Sequence, residues 1–303
     1  MIYHLPHNGI DKKKWDEAIA ASANGLVYAY SWYLDIVCPG WEALVKENYV
    51  SVMPLTAGKK YNIHYLYPPF FTQQLGVFSK RPPAEKEVAE FLGAIPEKFR
   101  YIEVNLNSEN SFNGNSFLIK RNINCELSLG APYEELFRNF SENTQRNIKK
   151  ARKKDFQLIA DIPPREVIRL FRNNRGKEVH ALKDMHYRTL EKLVDAAKRR
   201  KMARVWGVTS EGGLCAGAIF LEDKARSIFI FSGMNGTGKA NAAMFFLISE
   251  YIKRHAGHDR ILDFEGSNDK GLSRFYQSFG SKECVYLQVR QNRLPRLLKW
   301  LKK

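Results

Sequence analysis

The sequence predicts a mixed α/β fold that is built twice along the chain. Short segments with alternating apolar and polar residues predict strands, and longer segments with apolar residues three and four positions apart predict helices. The order of these elements recurs in the two halves: three strands joined by short turns, then a helix and a further strand. Because a helical crossover adds a strand in parallel to a meander, each half is expected to form a mixed sheet.

The first half begins with the predicted strand IYHL and the helix DKKKWDEAIAAS, whose apolar stripe includes Trp15 and Ile19. The aromatic segment VYAYSWYLDIV is interpreted as a second helix. WEALVK, NYVSVMPL and YNIHYLY predict strands, with TAGKK as one of the turns between them. The prolines and glutamates that open RPPAEKEVAEFLGAIP are typical of a helix start. YIEVNLN predicts a strand, and SFLIKRNINCELSL predicts one bent strand or two short strands.

The second half predicts the strand DFQLIADI, the helices PREVIRLFRNN and KDMHYRTLEKLVDAAKRR, and the meander MARVWGVTS, GLCAGAIFL and RSIFIFSGM. A helix NAAMFFLISEYIKRHAG, a strand RILDFEG, a short helix GLSRFYQSFG and a strand ECVYLQVR follow. Corresponding elements lie about 160 residues apart and share their pattern but not their residue identities. We therefore expect a first lobe at 1–131, a basic connecting helix at 132–154 and a second lobe with a basic tail at 155–303.

Composition indicates a globular protein with an anionic partner. A chain of 303 residues is long enough for one large or two medium domains, and its 44% hydrophobic and 13% aromatic residues argue against a disordered chain. The net charge is +16 and is unevenly distributed. Segment 146–154 holds six basic residues and segment 293–303 holds five, and neither contains an acid. Phosphate groups or an anionic membrane surface are therefore plausible partners.

The cysteines and the N-terminus predict a cytoplasmic protein. Cys38, Cys125, Cys215 and Cys284 lie far apart without a Cys-x-x-Cys pair, so we expect buried, reduced thiols. The histidines lack metal-ligand spacing, and no metal is expected. The first residues lack the pattern of a signal peptide, and no apolar run approaches the roughly 20 residues of a membrane span.

The order of elements in the second half resembles the GNAT N-acyltransferase fold, with AGAIF and LDFEGSNDKGLSRFYQSFG as the supporting motifs. Two such lobes in tandem, with NTQRNIKKARKKDF at their junction, resemble the Fem-type peptidoglycan aminoacyltransferases and related GNAT-like proteins. The resemblance covers most of the chain as an order of elements. It implies two tandem GNAT-like lobes and the transfer of an acyl group to an amine.

The resemblance also implies a binding loop for coenzyme A. In GNAT enzymes a Gln/Arg-x-x-Gly-x-Gly/Ala loop before the central helix surrounds the pyrophosphate, and the matching positions here are Asn235, Gly236, Gly238, Lys239 and Ala240. Glycines let the backbone approach an anion, and a helix N-terminus favours phosphate. The first position is Asn rather than Gln or Arg. A glycine-rich turn without a ligand is the alternative.

Three residues are predicted to carry the chemistry. GNAT enzymes often place a tyrosine in an FYxxxGF-like segment to protonate the departing thiolate, and Tyr276 occupies that position in FYQSFG. Many Fem-type proteins carry a lysine there, which favours a coenzyme A donor. In RILDFEG, alternation places Asp263 and Glu265 on one face, where a carboxylate pair can bind an amine or accept its proton. The alternatives are packing of Tyr276 with Phe275 and Phe279, and a turn role for Glu265.

The basic segment 146–154 is predicted to guide an anion. Arg146, Lys149, Lys150 and Lys153 fall on one helical face, where like charges repel unless an anion meets them. A solvated connector is the alternative.

Three functions are compatible with these features. The first is transfer of an acyl group, such as acetyl, from coenzyme A to a small-molecule amine. The second is a Fem-like transfer of an amino acid from tRNA to a cell-wall precursor. In that case 146–154 and Lys239 would contact RNA, and the amphipathic tail 293–303 would contact the membrane at its periphery. The third is a catalytically inactive lobe pair that serves as a binding module.

Overall fold

The computed structural model describes residues 1–265 and 268–295, which form two compact units. Unit 1 comprises Met1–Ile123 and the described residues from Val285 onward, and unit 2 comprises Asn124–Cys284. The segment 132–154, predicted to connect two lobes, lies within unit 2. The end of the chain, predicted to belong to the second lobe, returns to unit 1.

Within the described residues, the first half of the chain forms eight strands and three helices. They are β1 (Ile2–Leu5), α1 (Lys12–Ala21), α2 (Ser31–Val37), β2 (Glu42–Lys46), β3 (Ser51–Leu55), β4 (Ala57–Lys60), β5 (Ile63–Leu66), β6 (Phe78–Ser79), α3 (Glu85–Gly93), β7 (Phe99–Asn105) and β8 (Leu118–Ser128). The predicted strand at IYHL and the helix after it are confirmed, and Asp11 caps α1 by accepting hydrogen bonds from the backbone N–H groups of Lys13 and Lys14.

The second half, over its described residues, forms seven helices and six strands. They are α4 (Tyr133–Arg138), α5 (Glu142–Arg152), β9 (Gln157–Ala160), α6 (Pro164–Asn173), α7 (Asp184–Arg199), β10 (Ala203–Ser210), β11 (Gly213–Glu222), β12 (Arg226–Met234), α8 (Gly236–Ala240), α9 (Ala243–His255), β13 (Ile261–Asp263), α10 (Lys270–Gln277) and β14 (Lys282–Asn292). The predicted meander and helices of this half are confirmed.

Two predictions in the first half are wrong in detail. VYAYSWYLDIV is not one helix, because Tyr30 is extended (ψ 144°) and separates a 3₁₀ turn at Val27–Ala29 from α2. TAGKK is not a turn, since its last four residues form β4 and pair with β5. Gly58 has a steric reason in that strand: a Cβ there would lie 2.5 Å from Cζ of Tyr65.

Strand pairing confirms the predicted repetition. In unit 2, β10, β11 and β12 form an antiparallel meander, and β13 pairs in parallel with β12. In unit 1, β2 pairs with β3 and β4 with β5, both antiparallel, and β7 pairs in parallel with β5. Unit 1 divides its meander between two sheets, because β3 belongs to the order β1-β2-β3-β6 while β4 begins the order β4-β5-β7-β14. Each half is therefore a mixed α/β unit.

Each unit is completed by a strand from a distant part of the chain. β8 follows β7, yet its residues 126–128 pair with β13 of unit 2. β14 follows β13, and its residues 288–292 pair with β7 of unit 1. The boundaries of the units consequently fall inside these two strands.

A row of glycines brings α6 close to the sheet of unit 2. Gly207, Gly217 and Gly233 lie opposite one another on β10, β11 and β12. A Cβ on Gly217 would lie 2.8 Å from a methyl group of Val167, and one on Gly233 would lie 2.5 Å from the backbone nitrogen of Phe171. The backbone of α6 therefore packs directly on β12.

The four cysteines, all within the described residues, form no disulfide with one another. Cys38, Cys125 and Cys215 are buried, and Cys284 is half-buried. Burial raises the pKa of the Cys38 and Cys215 thiols above the ordinary value, so both remain protonated at neutral pH.

Candidate functional site

Unit 2 contains a cleft where β12 and β13 diverge. The two strands pair only along Arg226–Ile228 of β12, whereas β12 continues to Met234. The cleft beyond this pairing has a volume of about 670 Å³. Its walls come from β12, the C-terminal end of α6 and the turn after it, the N-terminal end of α9, and α10. A cleft of this size can hold a small-molecule substrate.

A bulge in β12 lies at this cleft. Ile219 of β11 lies opposite Phe231 and Phe220 lies opposite Phe229, so Ile230 is the extra residue on β12. Ile230 lines the cleft. Bulges redirect backbone groups and are frequent beside active sites. The apolar run SIFIF contains no signal of the bulge, because one extra residue leaves its composition unchanged.

Tyr276 lines the cleft from α10 and is 7% exposed. Its ring stacks on Phe264 with centroids 4.8 Å apart and meets Phe229 edge-on. Burial, reinforced by the Glu265 carboxylate, raises the pKa of Tyr276, while Arg175 acts in the opposite direction. The phenol therefore stays protonated at neutral pH, the state in which a tyrosine hydroxyl can donate a hydrogen bond.

The two predicted carboxylates lie in different environments. Glu265 lines the cleft and has φ 51°, a left-handed conformation that glutamate rarely adopts. Asp263 is 1% exposed and accepts hydrogen bonds at 2.8 Å from both Arg226 and Asn124. Asp263 also accepts the backbone N–H of Glu265 at 3.0 Å. The shared face predicted by alternation is absent because β13 ends at Asp263, which instead holds the turn that carries Glu265.

Asn235 and Gly238, predicted to bind phosphate, have structural partners. Asn235 is the N-cap of α8: its Oδ1 accepts the backbone N–H of Gly238 at 2.9 Å, and its Nδ2 donates to the carbonyl of Leu214 at 3.3 Å. A Cβ on Gly238 would lie 2.3 Å from the carbonyl oxygen of Cys215. Both residues therefore fasten α8 to β11, and the segment is a helical turn rather than an open loop.

The other three positions of the predicted loop have different surroundings. A Cβ on Gly236 would meet no heavy atom within 4 Å. Lys239 is exposed and lines the cleft. The carbonyl of Ala240 accepts a hydrogen bond from Nζ of Lys150 at 2.9 Å. Lys239 is thus the residue of this segment that brings positive charge to the cleft.

The N-terminus of α9 also borders the cleft. Its N-cap residue, Ala242, has φ 60° and provides no side-chain cap. Ala242, Met244 and Phe245 line the cleft. The first N–H groups of a helix have no acceptor within the helix, and the helix dipole favours an anion there. Together with Lys239, this end of α9 can receive a phosphate group.

The basic segment contains part of α5, which belongs to unit 2. α5 packs on the core of that unit and is not a solvated connector between two lobes. Ile148 and Ala151 are fully buried. The opposite face is exposed and carries Arg146, Lys149, Lys150 and Lys153. The hydrogen bond from Lys150 to the carbonyl of Ala240 brings this basic face to α8, beside the cleft.

Phe171 and Arg175 also line the cleft, although the sequence does not mark them as site residues. Phe171 lies in the last turn of α6, and the centroid of its ring lies 4.8 Å from that of Phe231. Arg175 lies in the turn after α6, with Nη2 3.6 Å from Oδ2 of Asp269, the N-cap residue of α10. Neither belongs to a motif, and their glycine-mediated approach to β12 is a property of the fold.

The predicted membrane contact at 293–303 lies mostly outside the described residues. Leu294 is described and is 5% exposed, whereas Leu297, Leu298 and Leu301 are not described. In the described part of the chain, every helix is too short or too polar to cross a bilayer.

No protein-family model matches this sequence, and no curated protein matches it. Solved structures do. The match to the crystal structure of FemX covers 97% of this chain and 99% of the FemX chain, with a TM-score of 0.70 and 10% sequence identity. A tandem GNAT protein from the clavulanic acid biosynthesis pathway covers 97% and 99%, with a TM-score of 0.54 and 11% identity. L-PGS from Bacillus licheniformis covers 86% and 87%, with a TM-score of 0.51 and 9% identity. The chain therefore has the Fem-like fold of two tandem GNAT-like lobes.

Proposed function

We propose that the chain is an N-acyltransferase that acts in the cleft of unit 2. The observation that carries the proposal is the meeting of Glu265, Tyr276, the β12 bulge and the N-terminus of α9 in one cleft of about 670 Å³. A carboxylate, a neutral phenol, backbone donors and an anion site are the groups that acyl transfer to an amine requires. The folds of FemX and the tandem GNAT protein support this class of reaction.

In the proposed mechanism Glu265 binds the acceptor's ammonium group and accepts one proton from it. The neutral amine attacks the carbonyl carbon of the donor, and a nitrogen–carbon bond forms. Backbone N–H groups of β12 at the Ile230 bulge stabilise the negative charge on the carbonyl oxygen. The bond from carbon to the leaving sulfur or oxygen then breaks. Tyr276 donates a hydrogen bond to the leaving atom. The leaving atom takes up the second proton, which the attacking nitrogen loses as the amide forms.

Acyl-coenzyme A is the first candidate donor. Its pyrophosphate would bind at the N-terminus of α9, and Lys239 would add a charge contact. Its thioester would extend along the apolar wall formed by Phe245, Leu272 and Phe275. Because Asn235 and Gly238 hold α8 in place, the proposal assigns them a supporting role and not a phosphate contact.

Aminoacyl-tRNA is the second candidate donor, and two observations favour it. The exposed basic face of α5 reaches α8 through the bond from Lys150 to Ala240, so RNA phosphates on α5 would lie beside the cleft. The raised pKa of Tyr276 also suits this donor, since a ribose oxygen is a much stronger base than a thiolate and matches a weakly acidic phenol better. A cell-wall precursor would then be one class of acceptor.

A donor-binding experiment separates the two candidates. Acetyl-coenzyme A should raise the melting temperature, and Lys239→Ala should reduce the shift. Binding of charged tRNA should weaken steeply with salt and be lost in the triple variant Arg146→Glu, Lys149→Glu, Lys153→Glu. The matched control reverses three exposed charges on α7, Arg188, Lys192 and Arg199. If neither donor binds and no acyl transfer to any amine is detected, the proposed function is refuted.

A further inference from the structure

We infer that the acceptor recognised in this cleft is a free α-amino acid with an apolar side chain. The inference rests on the proposed function, because it names the acceptor class of the same cleft. It follows from three features that share the cleft: a carboxylate for the ammonium, a guanidinium for the carboxylate, and aromatic rings for the side chain.

Phe171 and Phe231 form an apolar surface of the cleft. Their ring centroids lie 4.8 Å apart, and Phe231 is 8% exposed. The row of glycines fixes this pair, since Gly233 lets the backbone of Phe171 approach β12. A polar or charged group placed among these rings would lose its hydration without a partner. An aliphatic or aromatic side chain gains from the same burial.

Arg175 lines the cleft together with Glu265 and provides the guanidinium group. Its nearest ion-pair contact, Nη2 to Oδ2 of Asp269, is 3.6 Å long, which exceeds hydrogen-bond length. Both side chains are more than half exposed, at 58% and 51%, so this contact contributes little. Asp269 already uses its other oxygen to cap α10. Arg175 can therefore turn to a ligand carboxylate and bind it with two parallel hydrogen bonds.

Tyr276 lies within the electrostatic reach of both charges. The Glu265 carboxylate raises its pKa and the Arg175 guanidinium opposes that rise. Glu265, Arg175 and Tyr276 all line the cleft, so an anionic and a cationic side chain are both present there for the two ends of an amino-acid zwitterion. An amine without a carboxylate would use Glu265 alone and leave the guanidinium without its ligand partner.

The test measures acceptor binding by calorimetry without any donor. The ligands are L-phenylalanine, 2-phenylethylamine, which lacks the carboxylate, 3-phenylpropionate, which lacks the amine, and L-glutamate, which has a charged side chain. We expect L-phenylalanine to bind about 10-fold or more tightly than each of the others, because each lacks one charged contact or the apolar contact.

Two arginine variants make the test specific. Arg175→Ala should weaken L-phenylalanine and 3-phenylpropionate binding by about 10-fold or more and leave 2-phenylethylamine unchanged. The control is Arg172→Ala, because Arg172 lies three residues earlier, in α6, but pairs with Asp184 at 2.7 Å. Melting temperatures establish that both variants fold. Equal effects of the two variants, or equal affinity for L-phenylalanine and 2-phenylethylamine, would overturn the inference.

The inference and the proposed function can fail separately. Binding of L-phenylalanine that depends on Arg175, without acylation by any donor, would support the inference and count against acyl transfer. Acylation of amines with no preference for a carboxylate would support acyl transfer and overturn the inference.

Discussion

At the scale of residues, the cleft sets Glu265 and Tyr276 in complementary states. The carboxylate lies on a left-handed turn held by Asp263, while the phenol is buried against Phe264 and kept protonated. In the proposed mechanism, the carboxylate accepts a proton from an amine and the phenol donates a hydrogen bond. The strained φ of Glu265 places its side chain at the cleft at a cost that the surrounding bonds offset.

Replacing Tyr276 by Phe should reduce kcat about 100-fold or more, because the ring still stacks on Phe264 while the hydroxyl is lost. Glu265→Gln should act similarly on kcat and also weaken amine binding. Steady-state kinetics with the donor established by the binding experiment measures both effects. Unchanged kcat in both variants would contradict the roles proposed for Tyr276 and Glu265.

His255 gives a prediction on stability against pH. Burial lowers the pKa of His255, opposed by the hydrogen bond to the carbonyl of Tyr251 and by Glu222 at 3.8 Å, while Arg254 and Arg260 lower it further. The His255 imidazole therefore binds a proton more readily in the unfolded chain than in the folded chain. The contribution of neutral His255 to the free energy of unfolding is complete above the ordinary pKa of about 6.5 and falls as the pH drops through that value.

His255→Gln should make the free energy of unfolding depend less on pH between neutral and mildly acidic solution. Urea unfolding at several pH values measures this, and His258→Gln, at an exposed histidine of the same segment, is the control. An equally steep pH dependence in the His255 variant would contradict the prediction.

The sequence predicted some site residues and could not predict others. Tyr276 and Glu265 belong to one continuous stretch that resembles a known motif, and the structure brings both to the cleft. Arg175 and Phe171 come about 90 residues earlier and carry no motif, so only the packing of α6 on β12 brings them to the cleft.

At the scale of elements, the position of α6 depends on the glycines beneath it. Gly233→Ala would place a methyl group 2.5 Å from the backbone nitrogen of Phe171 and 2.6 Å from the carbonyl oxygen of Val167. Backbone atoms of a helix cannot give way singly, so α6 must move as a whole. We expect a loss of about 1–3 kcal/mol in the free energy of unfolding, measured by urea titration.

Gly236→Ala is the matched control, because a Cβ there meets no heavy atom within 4 Å. Its position in α8 is helical, so we expect a gain of up to about 1 kcal/mol. Equal stability of the two variants would show that α6 does not depend on Gly233.

Periodicity predicted most helices and strands correctly because each buries one regular face. It failed where a local conformation interrupts the pattern: the extended Tyr30 divides a predicted helix, and Gly58 lets a polar segment pair as a strand under the ring of Tyr65. It predicted one helix at 132–154, where the structure has α4 and α5. It did not predict the packing of α5, whose buried stripe of Thr144, Ile148 and Ala151 is short and only partly apolar.

At the scale of the whole molecule, the order of elements along the chain differs from the composition of the units. The repetition of a meander and a parallel strand is readable from the sequence. The sequence does not show which unit β14 joins, because the alternating apolar residues of β14 suit the edge of either unit equally well. In the structure, Val289 of β14 lies opposite Val104 of β7 and is fully buried in the core of unit 1.

Val289→Asp should therefore destabilise unit 1, although this residue follows unit 2 directly in the sequence. An unpaired charge among apolar neighbours is among the most destabilising single changes. Hydrogen exchange should show lost protection in β7 and β5 while β10, β11 and β12 retain theirs. Lys282→Asp, at an exposed position of the same strand within unit 2, should leave both patterns unchanged. Loss of protection confined to β10–β12 would contradict the assignment of β14 to unit 1.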